Sequence, residues 1–316
     1  MSEARFTFSA VIPAFNTAAF LPAALESAER QTFQDFEVLV VDDGSTDSTW
    51  EAIESWRTRF AGRFKSIRLT PQERKGPAGA RNLAIKHACG EFIAFLDSDD
   101  LWAAEHLARA EQSLHGHDRS VGLYCGPGQI LGSSHVIEVE EWPPPAPQST
   151  TARLLKGGYF PLPSVCVRRD LLELIGGFNE TLLCYEDWLL YLQLSKRTRF
   201  VHSPFIECLV RLREGSTTST GTRMSKAMYR DAVRVYLVAN ALGFLTGEEA
   251  EIMRGRIIGS RSSDLANRAC GFKCGDVGWI VSGLLQSGLK GAEVWMPILW
   301  HAGASFLQRG IRKAAM

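Results

Sequence analysis

Three apolar runs stand out in the first hundred positions. Residues 6–12, 36–41 and 91–96 read FTFSAVI, FEVLVV and EFIAFL. Runs this short, this apolar and this rich in β-branched and aromatic residues fit strands buried on both faces. Pro13 is expected to stop the first of them. Between them the pattern changes period. Residues 18–31 put Leu21, Leu25 and Ala28 on one helical face. Residues 48–60 predict a second helix, entered through the turn Asp42-Asp43-Gly44-Ser45-Thr46-Asp47. Residues 67–69 are a weak third strand. Residues 76–79 read as a loop that opens a helix over 80–88, and 101–114 returns to helix.

Strand and helix in alternation, with nearly all-apolar strands, predict an α/β fold built on a parallel sheet covered on both faces. Ligands of such sheets bind beyond the carboxyl ends of the strands. Acidic clusters stand at two of those ends, Asp42-Asp43 after FEVLVV and Asp97-Ser98-Asp99-Asp100 after EFIAFL.

The middle of the chain, 121–222, is less regular. Its stretch Trp142-Pro143-Pro144-Pro145-Ala146-Pro147 excludes helix and central strand, and is either a surface loop or a flap over a substrate. From position 223 onward the pattern is helical, with amphipathic stretches over 224–244 and 247–269.

The 316 residues carry 35 basic and 35 acidic side chains and are 45% hydrophobic, which excludes a disordered or low-complexity chain. Neutrality argues against a nucleic-acid binder that relies on neutralising phosphates. The charge is unevenly spread, with 22 basic against 28 acidic side chains in 1–222 and 13 against 7 in 223–316. Seven cysteines without a CxxC pair favour reduced thiols in a cytosolic protein. Cys270 and Cys274 lack a matching second pair of zinc ligands. The opening MSEARFTFSA lacks the apolar stretch of a signal peptide. The longest apolar stretches, 279–285 and 294–300, fall far below the roughly 20 residues of a spanning helix.

Each chemical feature has a plain reading beside a functional one. Asp97-x-Asp99 at a strand end can hold a hard divalent cation through oxygen, and aspartates also simply favour turns. Asp42 and Asp43 can accept hydrogen bonds from a base or ribose, or cap the following helix. Glu186-Asp187, ahead of an apolar helix over 188–194, can complement a helix dipole or act as a general base. The segment Arg211-Leu212-Arg213-Glu214-Gly215-Ser216-Thr217-Thr218-Ser219, basic and then rich in Gly, Ser and Thr, can clamp phosphate oxygens or serve as a linker.

The order and spacing of these features are more specific than any one of them. Val11-Ile12-Pro13-Ala14-Phe15-Asn16, then FEVLVVDDGSTD over 36–47, Gly79-Ala80-Arg81-Asn82, GEFIAFLDSDD over 90–100, Gly176-Gly177-Phe178 and Glu186-Asp187 follow one another. The sequence resembles the family 2 inverting glycosyltransferases over about residues 5–220, and the resemblance implies a GT-A fold, a Rossmann-like, mostly parallel sheet flanked by helices. It implies a nucleotide-sugar-binding half over 1–110 and an acceptor-binding half with the catalytic base over 111–222; the helical pattern beyond them gives a C-terminal helical region over 223–316.

The resemblance also implies roles. Asp43 contacts the nucleotide base with Asp42 beside it, and Pro13, Ala14, Phe15 and Asn16 line the base pocket. Arg81 lies near the nucleotide and its phosphates. Asp97 and Ser98 belong to the donor site, Asp97 at the ribose or metal shell, and Asp99 ligates Mn2+ or Mg2+ under the diphosphate. Arg211 and Arg213 approach the diphosphate. Asp187 is the catalytic base, with Glu186 its neighbour. The expected donor is a nucleoside-diphosphate sugar, most often UDP-linked, and the expected acceptor a hydroxyl of a glycan or lipid-linked saccharide. Cell-envelope polysaccharide assembly at the cytoplasmic side is the natural setting. Trp279, Trp295 and Trp300 with Arg309, Arg312 and Lys313 are compatible with peripheral contact to an anionic membrane, or with packing on the core.

Three positions depart from the family pattern. Arg213 stands where many members have a histidine, so its charge can assist or partly replace a cation. Leu189 and Gln193 stand where an acidic residue and an arginine are common, which bears on acceptor recognition. Phe15 stands where tyrosine is common. A dehydrogenase would need G-x-G-x-x-G after the first strand, and a nucleotidyltransferase a basic, glycine-rich loop there; Pro13-Ala14-Phe15-Asn16 is neither. The remaining alternative is a catalytically degenerate, glycan-binding or scaffold protein of the same fold.

Overall fold

The computed structural model describes residues 6–137, 149–156, 160–212, 231–232, 234–236, 238–239, 243 and 245–250. The chain divides into two compact units, Met1–Met224 and Ser225–Met316.

In the first unit the order is β1 (Phe6–Ala14), α1 (Leu21–Glu29), β2 (Phe36–Asp42), α2 (Thr49–Trp56), β3 (Phe64–Arg68), α3 (Gly76–His87), β4 (Gly90–Phe95), β5 (Leu101–Trp102) and α4 (His106–His115). There follow β6 (Val121–Cys125), β7 (Gly128–Ile130), β8 (Val136–Ile137), α5 (Ser149–Lys156), β9 (Cys166–Arg168), α6 (Arg169–Ile175), α7 (Glu186–Ser195), β10 (Arg199–His202) and β11 (Cys208–Val210). A seven-stranded sheet runs β10-β6-β9-β4-β1-β2-β3, and a four-stranded sheet runs β5-β11-β7-β8. Strands β4, β1, β2 and β3 are mutually parallel. Strand β9 is antiparallel to both β4 and β6, and β10 is parallel to β6.

Period two in the strands divides the core. Phe8, Ala10, Ile12 and Ala14 of β1 join Phe36, Val38 and Val40 of β2, and Phe92 and Ala94 of β4, against Leu21 and Leu25 of α1, Ile53 of α2 and Leu107 of α4. The alternate residues Val11, Leu39, Val41, Ile93 and Phe95 are buried as well. Helix α3 packs on β1 and β2.

Several boundaries differ from expectation for local reasons. β1 runs through Pro13, which pairs with Val41, because the ladder with β4 ends at Val11 and Phe95. The missing N–H of Pro13 therefore falls where β4 no longer needs it. α3 begins at Gly76 rather than at 80, since Pro77 is tolerated in a first helical turn. The third strand is Phe64–Arg68 rather than 67–69. Residues 101–114 are not one helix. Leu101 and Trp102 pair with Leu209 and Cys208, and the helix starts only at His106. That pairing partner lies a hundred residues away, beyond any local pattern.

In the second unit, residues 231–232, 234–236, 238–239 and 247–250 are helical. Most of the amphipathic stretches expected over 224–244 and 247–269 lies outside the described residues, as do the Pro-rich stretch 142–147, Cys270, Cys274 and the C-terminal tryptophans. Among the described residues no helix is long and apolar enough to cross a membrane.

Candidate active site

The carboxyl ends of β1, β2 and β4 meet at one edge of the large sheet. The Asp43 N–H donates to the Ala14 carbonyl at 2.8 Å, so the β2 turn is held against Pro13, Ala14 and Phe15. Asn16 has φ 51°, a left-handed conformation that asparagine tolerates. Its N–H donates to Ser45 Oγ at 3.0 Å, and its Oδ1 accepts from the Thr46 N–H at 2.9 Å. Gly44 has φ +77°, and a Cβ there would meet Thr70 O and Pro71 Cα at 2.9 Å, which accounts for the glycine after the aspartate pair.

The two aspartates do different work. Asp42 is fully buried; its Oδ1 accepts from the Ser45 N–H at 3.0 Å, and its Oδ2 lies 3.6 Å from Arg68 Nε. Asp43 accepts from the N–H groups of Lys75 at 2.7 Å and Gly76 at 2.9 Å. These are amides at the opening of α3, which no helical carbonyl can satisfy. Arg74 Nε lies 3.5 Å from Asp43 Oδ2, and the Arg74 guanidinium sits 3.5 Å from the Phe15 ring centroid.

The Asp97–Asp100 turn follows β4. Asp97 is partly exposed and accepts from Arg81 Nη2 at 2.6 Å; Ser98 is buried. Asp100 is buried, and its Oδ1 accepts from the Arg211 N–H at 2.7 Å. Burial and the charges of Asp97 and Asp99 push its carboxyl up to about 8. Arg211 Nε donates to the Asp99 carbonyl at 3.0 Å, and its guanidinium lies 5.2 Å from the Phe20 ring. Arg211, just past β11, is thus tied to the acidic turn. Arg213 lies outside the described residues.

Glu186 and Asp187 occupy the first turn of α7, directly after Tyr185 in a left-handed conformation at φ 63°. Glu186 Oε1 accepts from Arg81 Nη1 at 3.0 Å. Asp187 Oδ1 accepts from the Trp188 N–H at 2.7 Å. Burial, and then the neighbouring charge of Glu186, push the Asp187 carboxyl up to about 7, against the pull of that N–H and of Arg81. Burial alone would lower the proton affinity of Arg81, but Asp97 and Glu186 more than offset it and keep the guanidinium charged.

Three residues of the quoted motifs had no role assigned from sequence. Asn82 Oδ1 accepts from the Phe178 N–H at 2.8 Å, and its Nδ2 donates to the Phe178 carbonyl at 2.9 Å. Gly177 has φ +74° and packs directly on that amide. Phe178 places its ring 5.4 Å from the Arg81 guanidinium. The neighbouring positions of Arg81 and Asn82 in GARN, and of Gly177 and Phe178 in GGF, were the available signal. A buried cluster around Glu207, with His106 Nδ1 and Arg109 Nε each at 2.9 Å and Ser203 bonded to it, had none.

Among the described residues no three acidic, histidine or cysteine side chains converge on one point as a closed metal site. Asp97 and Asp99 are oxygen donors on one crowded, negatively charged turn. That chemistry suits Mg2+ or Mn2+ in a shell completed by substrate phosphates and water.

A family model described as glycosyl transferase family 2 matches residues 9–173. The Escherichia coli protein UDP-Glc:alpha-D-GlcNAc-diphosphoundecaprenol beta-1,3-glucosyltransferase WfgD is 31% identical over 218 residues, which cover 68% of this chain and 80% of that protein. An uncharacterized glycosyltransferase of Rickettsia felis is 46% identical over 99 residues, but this chain spans only 16% of its length. The crystal structure of S. aureus TarS 1–349 in complex with UDP-GlcNAc matches with a TM-score of 0.65 at 24% identity, over 89% of this chain and 80% of that one. The mannosyltransferase PcManGT from Pyrobaculum calidifontis in complex with GDP-Man and Mn2+ matches with a TM-score of 0.59 at 20% identity, over 96% of this chain and 87% of that one. The fold is GT-A, and the chain belongs to glycosyl transferase family 2, a family of sugar-transferring enzymes.

Proposed function

We propose that the protein transfers a sugar, with inversion, from a UDP-sugar to a hydroxyl of a glycan or lipid-linked saccharide, with Asp187 as general base. The arrangement that carries this is Asp187 in the first turn of α7, its neighbour Glu186 joined through Arg81 to Asp97 of the turn after β4, with burial pushing the Asp187 carboxyl up to about 7. A carboxylate poised there can take a proton near neutral pH, whereas an ordinary aspartate is a much weaker base. Arg81 bonds both its neighbour Glu186 and Asp97 of the donor-side turn, which puts the base side and the donor side within one guanidinium of each other.

The step balances as a single displacement. The acceptor oxygen forms its bond to the anomeric carbon as the bond from that carbon to the diphosphate oxygen breaks. The hydroxyl proton goes to Asp187, and the bonding electron pair leaves with the nucleoside diphosphate. Attack opposite the leaving group inverts the anomeric centre. Asp97 and Asp99 would hold a divalent cation, which when bound neutralises charge on the diphosphate. Pro13, Ala14, Phe15, Asn16 and Asp43 are assigned to the base pocket, with the buried Asp42 shaping the turn beside them.

A UDP-sugar donor is supported by the name of the WfgD relative and by the UDP-GlcNAc complex of TarS. A lipid-linked acceptor is supported by the diphosphoundecaprenol in the relative's name. Such an acceptor puts the enzyme at the inner face of the membrane, where the basic excess of residues 223–316 favours peripheral contact.

The test is a calorimetric titration with UDP and GDP, each with Mn2+ and with chelator, alongside transfer from UDP-glucose. In Asp187→Asn, UDP should bind as in the wild type while transfer falls by roughly 10²- to 10⁴-fold. Equal transfer rates would remove Asp187 from the mechanism. Absence of nucleotide binding would move a glycan-binding or scaffold role to first place.

A further inference from the structure

We infer that Arg81 is a positioning residue that locks the entry of α7, and with it the catalytic base, onto the donor-side acidic turn, rather than a ligand of the diphosphate. The inference rests on the proposed role of Asp187. The Arg81 residue is only 5% exposed, although its head lies between two parts of the site. Nη2 bonds Asp97 at 2.6 Å and Nη1 bonds Glu186 at 3.0 Å, so the fork joins the turn after β4 to the first turn of α7. A planar guanidinium can span two carboxylates in fixed directions; an ammonium is a point charge without that fork.

The same helix grips the chain ahead of α7 with its next residue. Asn82 bonds both the N–H and the carbonyl of Phe178, and its Nδ2 also reaches Glu180 Oε1 at 2.9 Å. The Phe178 ring meets Phe95 of β4 edge-on at 5.3 Å and lies beside the Arg81 guanidinium. α3 therefore holds the loop before α7 through Asn82, and α7 itself through Arg81. Between these grips the chain passes Tyr185 at φ 63°, a conformation costly for a tyrosine that persists where its surroundings over-determine it. Without the Arg81 bridge, Glu186 and Asp97 would face each other as like charges, and the α7 entry could relax.

The test compares the full chain with Arg81→Met and Arg81→Lys. UDP affinity with Mn2+ is measured by calorimetry. kcat and KM are measured as UDP release from UDP-glucose with a short-chain alkyl-diphospho-GlcNAc. In Arg81→Met, kcat should fall by roughly 10- to 100-fold, as expected for an ångström-scale misplacement, with UDP affinity and donor KM unchanged. Arg81→Lys should recover part of kcat. A fall in UDP affinity that accounts for the lost activity would make Arg81 a diphosphate ligand and overturn the inference, as would an unchanged kcat. Amide hydrogen exchange needs no substrate. Faster exchange confined to residues 178–188 in Arg81→Met supports the inference, whereas unchanged exchange there, or loss of protection throughout β1 and β2, refutes it. If the wild type neither binds UDP nor releases it from UDP-glucose, the donor reading fails, and the exchange result alone decides on Arg81.

Discussion

Gly176 and Gly177 form an internal control for the grip of Asn82 on the loop before α7. Both glycines have positive φ, +79° and +74°, so alanine at either pays a left-handed penalty of about 1–2 kcal/mol. Alanine also narrows the unfolded ensemble equally at both positions, so that contribution cancels in the comparison. The surroundings differ. A Cβ on Gly176 meets nothing within 4 Å, whereas one on Gly177 would stand 2.4 Å from Asn82 Oδ1. The Asn82 side chain must then turn away, breaking its two bonds to the Phe178 main chain, each worth about 1 kcal/mol. Gly177→Ala should thus cost about 2 kcal/mol more than Gly176→Ala, or roughly 4–8 °C in Tm for a unit of this size. Thermal unfolding of both variants in the wild-type and Asn82→Ala backgrounds reads this as a double-mutant cycle. In the Asn82→Ala background the two glycine variants should be equally destabilised. If they are already equal in the wild-type background, the grip does not exist as described.

Other consequences can be measured separately. Because Asp187 must be ionised to accept a proton and its carboxyl is pushed up to about 7, transfer should rise with pH through about 7. Glu186→Gln removes the neighbouring negative charge and should move that limb to lower pH; an unmoved limb would separate Glu186 from the base. Burial would raise the Glu207 carboxyl, but bonds from His106, Arg109 and Ser203 hold it down to about 2. Its contribution to stability is complete above its ordinary value of 4.5 and is lost as pH falls towards 2, which acid titration of the unfolding free energy will show. Glu207→Gln should cost about 3 kcal/mol in denaturant unfolding at neutral pH, and a neutral substitution would contradict the network. Gly90→Ala drives a Cβ to 2.5 Å from the main chain of Phe8 and Ser9, so β4 and β1 must part; a loss of about 3 kcal/mol is expected, and a variant of wild-type stability would be incompatible with this close approach.

The sequence was most legible where the controlling interactions are local. β1, β2 and β4 announce themselves as apolar runs because each is buried on both faces. α1 and α2 show the helical period because one face of each meets the core. β5 was unreadable, since two residues become a strand only by pairing with Cys208 and Leu209. β9 has three residues, and its antiparallel place between β4 and β6 depends on two partners far along the chain. In the site, the acidic residues could be named from their motifs, but their partners could not. Nothing local shows that Asp43 would close the amides of Lys75 and Gly76, or that Arg81 would bond Asp97 and Glu186 together. Those bonds cross from one element to another and exist only after the sheet has formed.

The antiparallel placement of β9 in the large sheet has a consequence for how the protein is made. When the first hundred residues have left the ribosome, β4 has its partner β1 on one side and an open row of amides and carbonyls on the other. Its closing strand arrives only with Cys166, Val167 and Arg168, which pair with Ala94, Ile93 and Phe92. During that interval a hydrophobic sheet edge is available to any other chain, the arrangement from which misassembly begins. Fragments that stop after α4 should therefore associate rather than remain monomeric, and nascent chains should need shielding until β9 docks. By filling the gap between β4 and β6, this strand also protects the unfinished protein from its neighbours.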